Sequence, residues 1–216
     1  MAFRPAVLSY DDLRKHAAAF LEEFHEERTL PVPIEEIVEF DYEIEVIPID
    51  GILDDLEVDA FLTSDLRTIY VDEFVMKHRH RRLRFSLAHE ISHYELHRPL
   101  YEESRIASVQ DWRRLQDSIS EDDYAWFEYQ AHALAGLILV PEDELRQHFI
   151  SAVDAARRAG LSSDTIDSEV GRTYIADALA GSFDVSTEVI ERRMEKDGFW
   201  SPPPGADNRV KPRRRK

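Results

Sequence analysis

Five consecutive residues, His89-Glu90-Ile91-Ser92-His93, carry the first suggestion of chemistry. On a helix, residues four apart project from one face, about 40° apart around the axis. Two imidazoles placed that way can bind one zinc ion. Zinc lowers the pKa of a bound water to ~7, and a carboxylate beside the first ligand can take its proton as general base. Glu90 is that carboxylate, and a water so activated can attack a peptide carbonyl. The competing reading is a pair of core histidines hydrogen-bonded to carboxylates or carbonyls.

A catalytic zinc needs a third protein ligand and an open fourth position. The long form of the motif would require glycine at 96 and histidine at 99, where this chain has Leu96 and Pro99. The next helical stretch, Phe127 to Gly136, offers Glu128 and His132 on one face. Its small residues Ala131, Ala135 and Gly136 permit close approach to another helix. Glu128 follows His93 by 35 residues, enough chain to return antiparallel. On spacing alone, Glu128 reads equally well as the third ligand or as an ordinary helix acid.

These residues need elements to hold them. Residues 9–28 carry a helical stripe (Leu13, Ala17, Phe20, Leu21, Phe24) behind an N-cap at Ser9. Pro33 opens a short helix through Phe40. Tyr42–Ile47 alternates like a strand, and Val58–Thr63 and Thr68–Val71 are two more, joined by a turn near Ser64-Asp65. A long helix covers Arg79 to His97 and is expected to end before Pro99. It is apolar nearly all round, with Leu83, Leu87, Ile91 and Tyr94 on one face and Phe85, Ser92 and Leu96 flanking the histidines. Residues 98–120 read as a polar loop. Helices follow over about 120–139, 142–159, 163–180 and 186–197, the last two spaced like a helix-turn-helix pair. Residues 201–216 read as a disordered tail.

Composition narrows the function classes. With 43% hydrophobic residues, 216 residues can bury a sizeable core. No apolar run approaches the ~20 residues of a membrane span. The start, Met1-Ala2-Phe3-Arg4-Pro5, lacks the apolar stretch of a secretion signal. There is no cysteine, which excludes disulfide scaffolds, thiol catalysis and thiolate metal sites. These features point to the cytoplasm. The net charge is −17, and the six basic residues between Arg209 and Lys216 leave −23 for the rest. So acidic a body repels nucleic acid and attracts basic protein surfaces.

Arg84-Phe85-Ser86-Leu87-Ala88-His89-Glu90-Ile91-Ser92-His93-Tyr94-Glu95-Leu96-His97 resembles the "RFxLAHExxHxxLH" helix of the ImmA/IrrE metallopeptidases. Glu128 to Pro141 is similar to that family's "ExxANxFAxxLLMP" helix, and Phe183 to Met194 to its "FxVSxxxVxxRL" segment. Ile69–Asp72 sits where the family's edge strand leads into the active-site helix. The resemblance spans roughly residues 10–198. It implies a zinc-dependent gluzincin-type endopeptidase with ligands His89, His93 and Glu128 and general base Glu90. The fold implied is α+β, mostly helical: a minimal zincin with a small three-stranded sheet packed on the active-site helices. Residues 1–150 would form the metallopeptidase domain, 151–200 a helix-turn-helix-like extension, and 201–216 a basic tail.

His132 and Leu134 stand where the family usually has Asn and Phe. His132 is expected to steady an oxyanion, hold Glu128, bind metal, or serve as a packing variant. His97 is assigned a supporting or substrate-side role, and Tyr94, Tyr124 and Tyr129 are candidate oxyanion donors. Family analogy makes the substrate a basic helix-turn-helix repressor cut at limited sites. The alternative is a metal-containing module that binds such a regulator without cleaving it. Sequence-specific nucleic-acid binding is not expected. The stretch Ser186–Lys196 balances three acids against three bases, where a groove reader shows a basic excess. The tail is expected to bind polyanions only weakly, and no membrane role is expected.

Overall fold

The computed structural model describes residues 4–53 and 58–200, and the expected tail lies outside them. In chain order the elements are α1 (Tyr10–Phe24), α2 (Ile34–Glu36, continued by a π turn over Ile37–Asp41), β1 (Glu45–Ile49), β2 (Ala60–Leu62), β3 (Thr68–Asp72), α3 (Glu73–His78), α4 (His80–Glu103), α5 (Val109–Ser118), α6 (Glu121–Leu139), α7 (Glu142–Arg158), α8 (Ser163–Asp167), α9 (Glu169–Phe183) and α10 (Thr187–Lys196). The architecture is α+β and mostly helical, with one three-stranded mixed sheet.

Most helices begin at a side-chain cap. At Ser9 the hydroxyl accepts the Asp12 N–H at 3.2 Å while the Asp12 carboxylate accepts the Ser9 N–H at 3.1 Å, a reciprocal capping box. The hydroxyls of Ser120, Ser168 and Ser186 each accept one N–H from the first turn of α6, α9 and α10. Helix α1 stops at Phe24, short of the expected 28. His25 leaves helical geometry, its Nε2 bonds the Thr29 carbonyl at 2.8 Å, and Arg28 turns into the left-handed region.

The strand order is β1-β3-β2, with β1 parallel to β3 and β2 antiparallel to it. Ile69–Asp72, expected at the edge, is therefore the central strand, and β2 is the edge that meets α4. Three residues suffice for β2 because all three are buried. Asp72 ends β3 and starts α3, its Oδ1 accepting the N–H groups of Phe74 and Val75 at 3.0 and 3.2 Å.

Three expectations fail for identifiable reasons. Helix α4 does not end before Pro99 but runs on to Glu103. Proline removes one intrahelical donor, but tertiary packing offsets that loss. Tyr101, 1% exposed, packs against the rings of His93 and Phe127 and carries the helix through. The expected loop over 98–120 holds a second helix, α5, capped by Ser108 and pinned by buried Trp112, which stacks on Phe61 at 6.2 Å. The expected single helix 163–180 is broken at Ser168, which turns extended to cap α9. Gly171 sits so close to the Thr165 and Ile166 carbonyls that any Cβ would overlap them. Helix α9 then runs past Gly181 to buried Phe183, and Asp184 takes the left-handed C-cap geometry.

Two buried arginines join distant parts of the chain. Arg84, 3% exposed, donates to Glu35 at 2.6 Å, to the Val32 carbonyl at 2.7 Å and to the Asp184 carbonyl at 3.2 Å. Arg193 donates to the Val140 carbonyl at 3.1 Å and pairs with Asp197 at 2.6 Å. Replacing Arg84 by Met keeps the apolar stem but leaves the buried Val32 carbonyl, the Asp184 carbonyl and the Glu35 carboxylate without this donor. Arg84→Met is expected to lower stability by about 3 kcal/mol. Urea unfolding checks this as a shift in midpoint at unchanged slope; an unshifted midpoint would contradict it.

Candidate metal centre

Helices α4 and α6 form the most extensive interface between any two elements among the described residues. Residues advancing along α4 meet residues receding along α6: His89 faces His132, His93 faces Phe127, and Tyr101 faces Phe127 and the Tyr124 end. The helices are antiparallel, and Ala88, Ala131 and Ala135, all fully buried, let them close.

The approach brings His89, His93 and Glu128 together, each offering one ligand atom within 4.8 Å of the others. His89 Nε2 and His93 Nε2 are 3.0 Å apart. Glu128 places one oxygen 3.2 Å from His89 Nε2 and the other 3.7 Å from His93 Nε2. Tetrahedral zinc, with bonds of ~2.0–2.1 Å, separates its donors by roughly 3.3 Å. The two-nitrogen, one-oxygen donor set therefore fits a divalent cation in both chemistry and spacing. Burial acts to lower the His89 pKa, but the hydrogen bond and charge of Glu128 outweigh it and leave it raised. Burial holds His93 well below its ordinary value, and His89 and His97 add to that.

Glu90 lies beside this triad and 4% exposed. Its Oε2 accepts the Leu62 N–H of the edge strand at 2.8 Å, which fixes the carboxylate. Burial pushes its pKa up to about 8, with the Glu128 charge adding and His89 and the Leu62 N–H opposing. A divalent cation at the triad acts in the lowering direction.

His132 is not part of the triad. Its ring tilts on Phe85 at 4.7 Å, and its Nε2 lies 3.0 Å from an Arg192 nitrogen. Burial, with the His89 and Arg192 charges, takes its pKa down to about 4. His97 is buried behind the centre, with Nδ1 3.0 Å from His93 Nδ1 and Nε2 2.9 Å from Gln130 Oε1. Two tyrosines face elsewhere. One residue beyond His93 the helix has turned ~100°, so Tyr94 packs edge-on against Tyr42 at 4.9 Å, under Arg98. Tyr129 stacks on Trp126 at 5.2 Å with Lys196 over its ring. Tyr124 does reach the site. Burial raises its hydroxyl pKa first, and the Glu128 charge and hydrogen bond contribute, while Gln116 donates to it at 2.8 Å.

The centre opens into a cleft of about 890 Å³. Its walls include Asp59 and Ala60 from the edge-strand side, Trp112 of α5, and Ser186, Val189 and Arg192 from the α10 end. Arg79, Arg81 and Arg82 also line it, and with Arg192 they balance Asp59, Glu90, Glu128 and Glu188, so the acid excess of the chain as a whole is not carried into the cleft lining. Trp112, Gln130, Arg192 and the Leu62 N–H escape sequence reasoning. Only Trp112 had a local signal, the Ser108-x-x-Asp111 cap ahead of it. Tyr101 was hidden by Pro99; its buried hydroxyl has no partner among the described residues.

Fold and site together define a metallopeptidase-like domain built on an HExxH helix. The chain belongs to the IrrE N-terminal-like family (peptidase family M78), whose model matches residues 54–195. No curated protein matches the sequence. Among solved structures it is similar to a Mycobacterium tuberculosis transcriptional regulator, at 19% identity and a TM-score of 0.50. That likeness covers 85% of this chain and 46% of the other, so the chain spans about half the length of that relative. No helix among the described residues is long and apolar enough to cross a membrane.

If His89, His93 and Glu128 are the ligands, the chain takes up one zinc ion. His93→Ala and Glu128→Ala should each weaken it by about 100-fold or more, and His132→Ala by less than about threefold. Competition titration against a chromogenic chelator measures all three. Strong loss in His132→Ala with little in Glu128→Ala would reassign the third ligand.

Proposed function

We propose that the protein is a zinc-dependent endopeptidase that makes limited cuts in a regulatory protein, a basic helix-turn-helix repressor, in the cytoplasm. The observation carrying this reading is Glu90. A centre that only held the fold together would have no use for a buried carboxylate beside its ligands, clamped by a backbone N–H and facing an open cleft.

Bound at His89, His93 and Glu128, zinc supplies Lewis acidity, polarising a carbonyl and making water acidic near neutral pH. Glu90 holds and removes a proton of the attacking water at the oxygen not bonded to Leu62, and returns it to the nitrogen of the leaving amine. Leu62 keeps that carboxylate from rotating away. The Tyr124 hydroxyl, which interacts with Glu128, is the tyrosine that would donate to charge developing on the carbonyl oxygen. Ala60 and Trp112 border the space a peptide would occupy.

On this reading residues 1–150 hold the catalytic apparatus and 151–200 are an extension. The extension closes the cleft with Ser186, Val189 and Arg192 in place of reading DNA. The net charge of −17 favours a basic partner overall. The solved structure that shares the fold is a transcriptional regulator, which is compatible with a substrate in gene control.

Incubation of the zinc-loaded chain with helix-turn-helix repressors, resolved by mass spectrometry of the fragments, tests this. Cleavage should be abolished by chelator and restored by zinc. Glu90→Gln should lower kcat/KM by about 10²–10⁴-fold while still binding zinc. Undiminished cleavage by that variant would remove Glu90 from its role. Tight repressor binding without any cut would favour the non-catalytic module.

A further inference from the structure

Behind the metal centre runs a chain of hydrogen bonds that ends on the main chain. Gln130 Nε2 donates to the Ala6 carbonyl, Gln130 Oε1 lies 2.9 Å from His97 Nε2, and His97 Nδ1 lies 3.0 Å from His93 Nδ1. Gln130 is fully buried and both imidazoles are 1% exposed. Each link has an alternative proton placement taken alone. Together, with both buried imidazoles neutral, they have one.

A carbonyl oxygen can only accept, so the Gln130 amide must turn its NH₂ toward Ala6 and its oxygen toward His97. That oxygen can only accept, so His97 carries its proton on Nε2. A neutral imidazole with Nε2–H presents a lone pair at Nδ1. His93 must then donate from Nδ1–H, which leaves its Nε2 lone pair directed at His89 and Glu128. Reversing any link sets two acceptors, or two donors, against each other at about 3 Å in a site without solvent. A 180° flip of either ring offers no escape, because it puts a ring carbon where each hydrogen-bonded nitrogen now sits.

We propose that the Ala6 carbonyl, acting through Gln130 and His97, sets the tautomer of His93 and so holds its Nε2 lone pair ready for the metal. Gln130 is thus a positioning residue, and the segment before α1, anchored by buried Pro5, is part of the metal centre although it lies outside the stretch that matches the family. The inference rests on the assignment of His93 as a ligand.

Nitrogen NMR on histidine-labelled wild-type protein, metal-free and zinc-loaded, reads the tautomers directly. Nδ1–H on His93 and Nε2–H on His97 are expected in both states; an unprotonated Nδ1 on His93 would overturn the proposal. Gln130→Met keeps the volume but removes the acceptor. Zinc affinity should fall by about 10–100-fold, with His93 sampling both tautomers and the circular dichroism unchanged. Zinc affinity within threefold of wild type would equally overturn it. If the variant fails to fold, the wild-type spectra decide alone. If wild-type protein takes up no zinc, the ligand assignment fails, and the metal-free spectrum still decides whether the tautomer chain exists.

Discussion

Two imidazole nitrogens and a carboxylate meet with little solvent to separate them, and such a set of electron-pair donors is stable only with positive charge among them. Much of the molecule can be traced to that requirement. The donors come from two helices, so the helices must touch, and the contact is lined by alanines. Gly136 continues the small face and leaves room for Arg193, whose Cδ would lie 3.4 Å from any Cβ there. Arg193 in turn ties the end of α6 to α10 through the Val140 carbonyl and Asp197. A close helix pair at the centre and a bound C-terminal helix at the periphery are therefore parts of one packing solution.

Charge is distributed against the average. The chain is strongly acidic, yet two of its buried ionic groups are arginines, and four arginines border the cleft beside four acids. Arg84 and Arg193 satisfy main-chain carbonyls at corners where the chain leaves regular structure, work that a planar, five-donor guanidinium does better than any other side chain. The acidity is consequently a property of the outer surface, relevant to how partners approach, while the cleft lining is a separate matter.

The HExxH helix was legible because its chemistry is local. A spacing of four residues defines a face whatever surrounds it, and Glu90 adjoins the first ligand in sequence. Helices α6, α7 and α10 were legible for a similar reason, since caps and prolines are read over three or four residues. Helix α5 should have been seen from its cap but was masked by a polar composition. The run of α4 past Pro99 could not have been seen, because the stabilisation lies in Tyr101 burying itself against rings on another helix. The break at Ser168 is intermediate: the serine marked a cap, but a continuous helical pattern competed with it.

By itself the sequence determined the two motif helices, their order, the mostly helical class with a small sheet, and the family resemblance. All of these rest on patterns only a few residues long. Only the tertiary structure decided that Glu128 joins the histidines while His132 turns to Phe85 and Arg192, two residues that share one helical face four positions apart. Only it placed β3 in the middle of the sheet, gave Glu90 its partner in Leu62, and set Gln130 between His97 and Ala6. The physical reason is common to these cases. Which side chain meets which across an interface depends on the rotation and register of two elements about each other, and neither element encodes that alone.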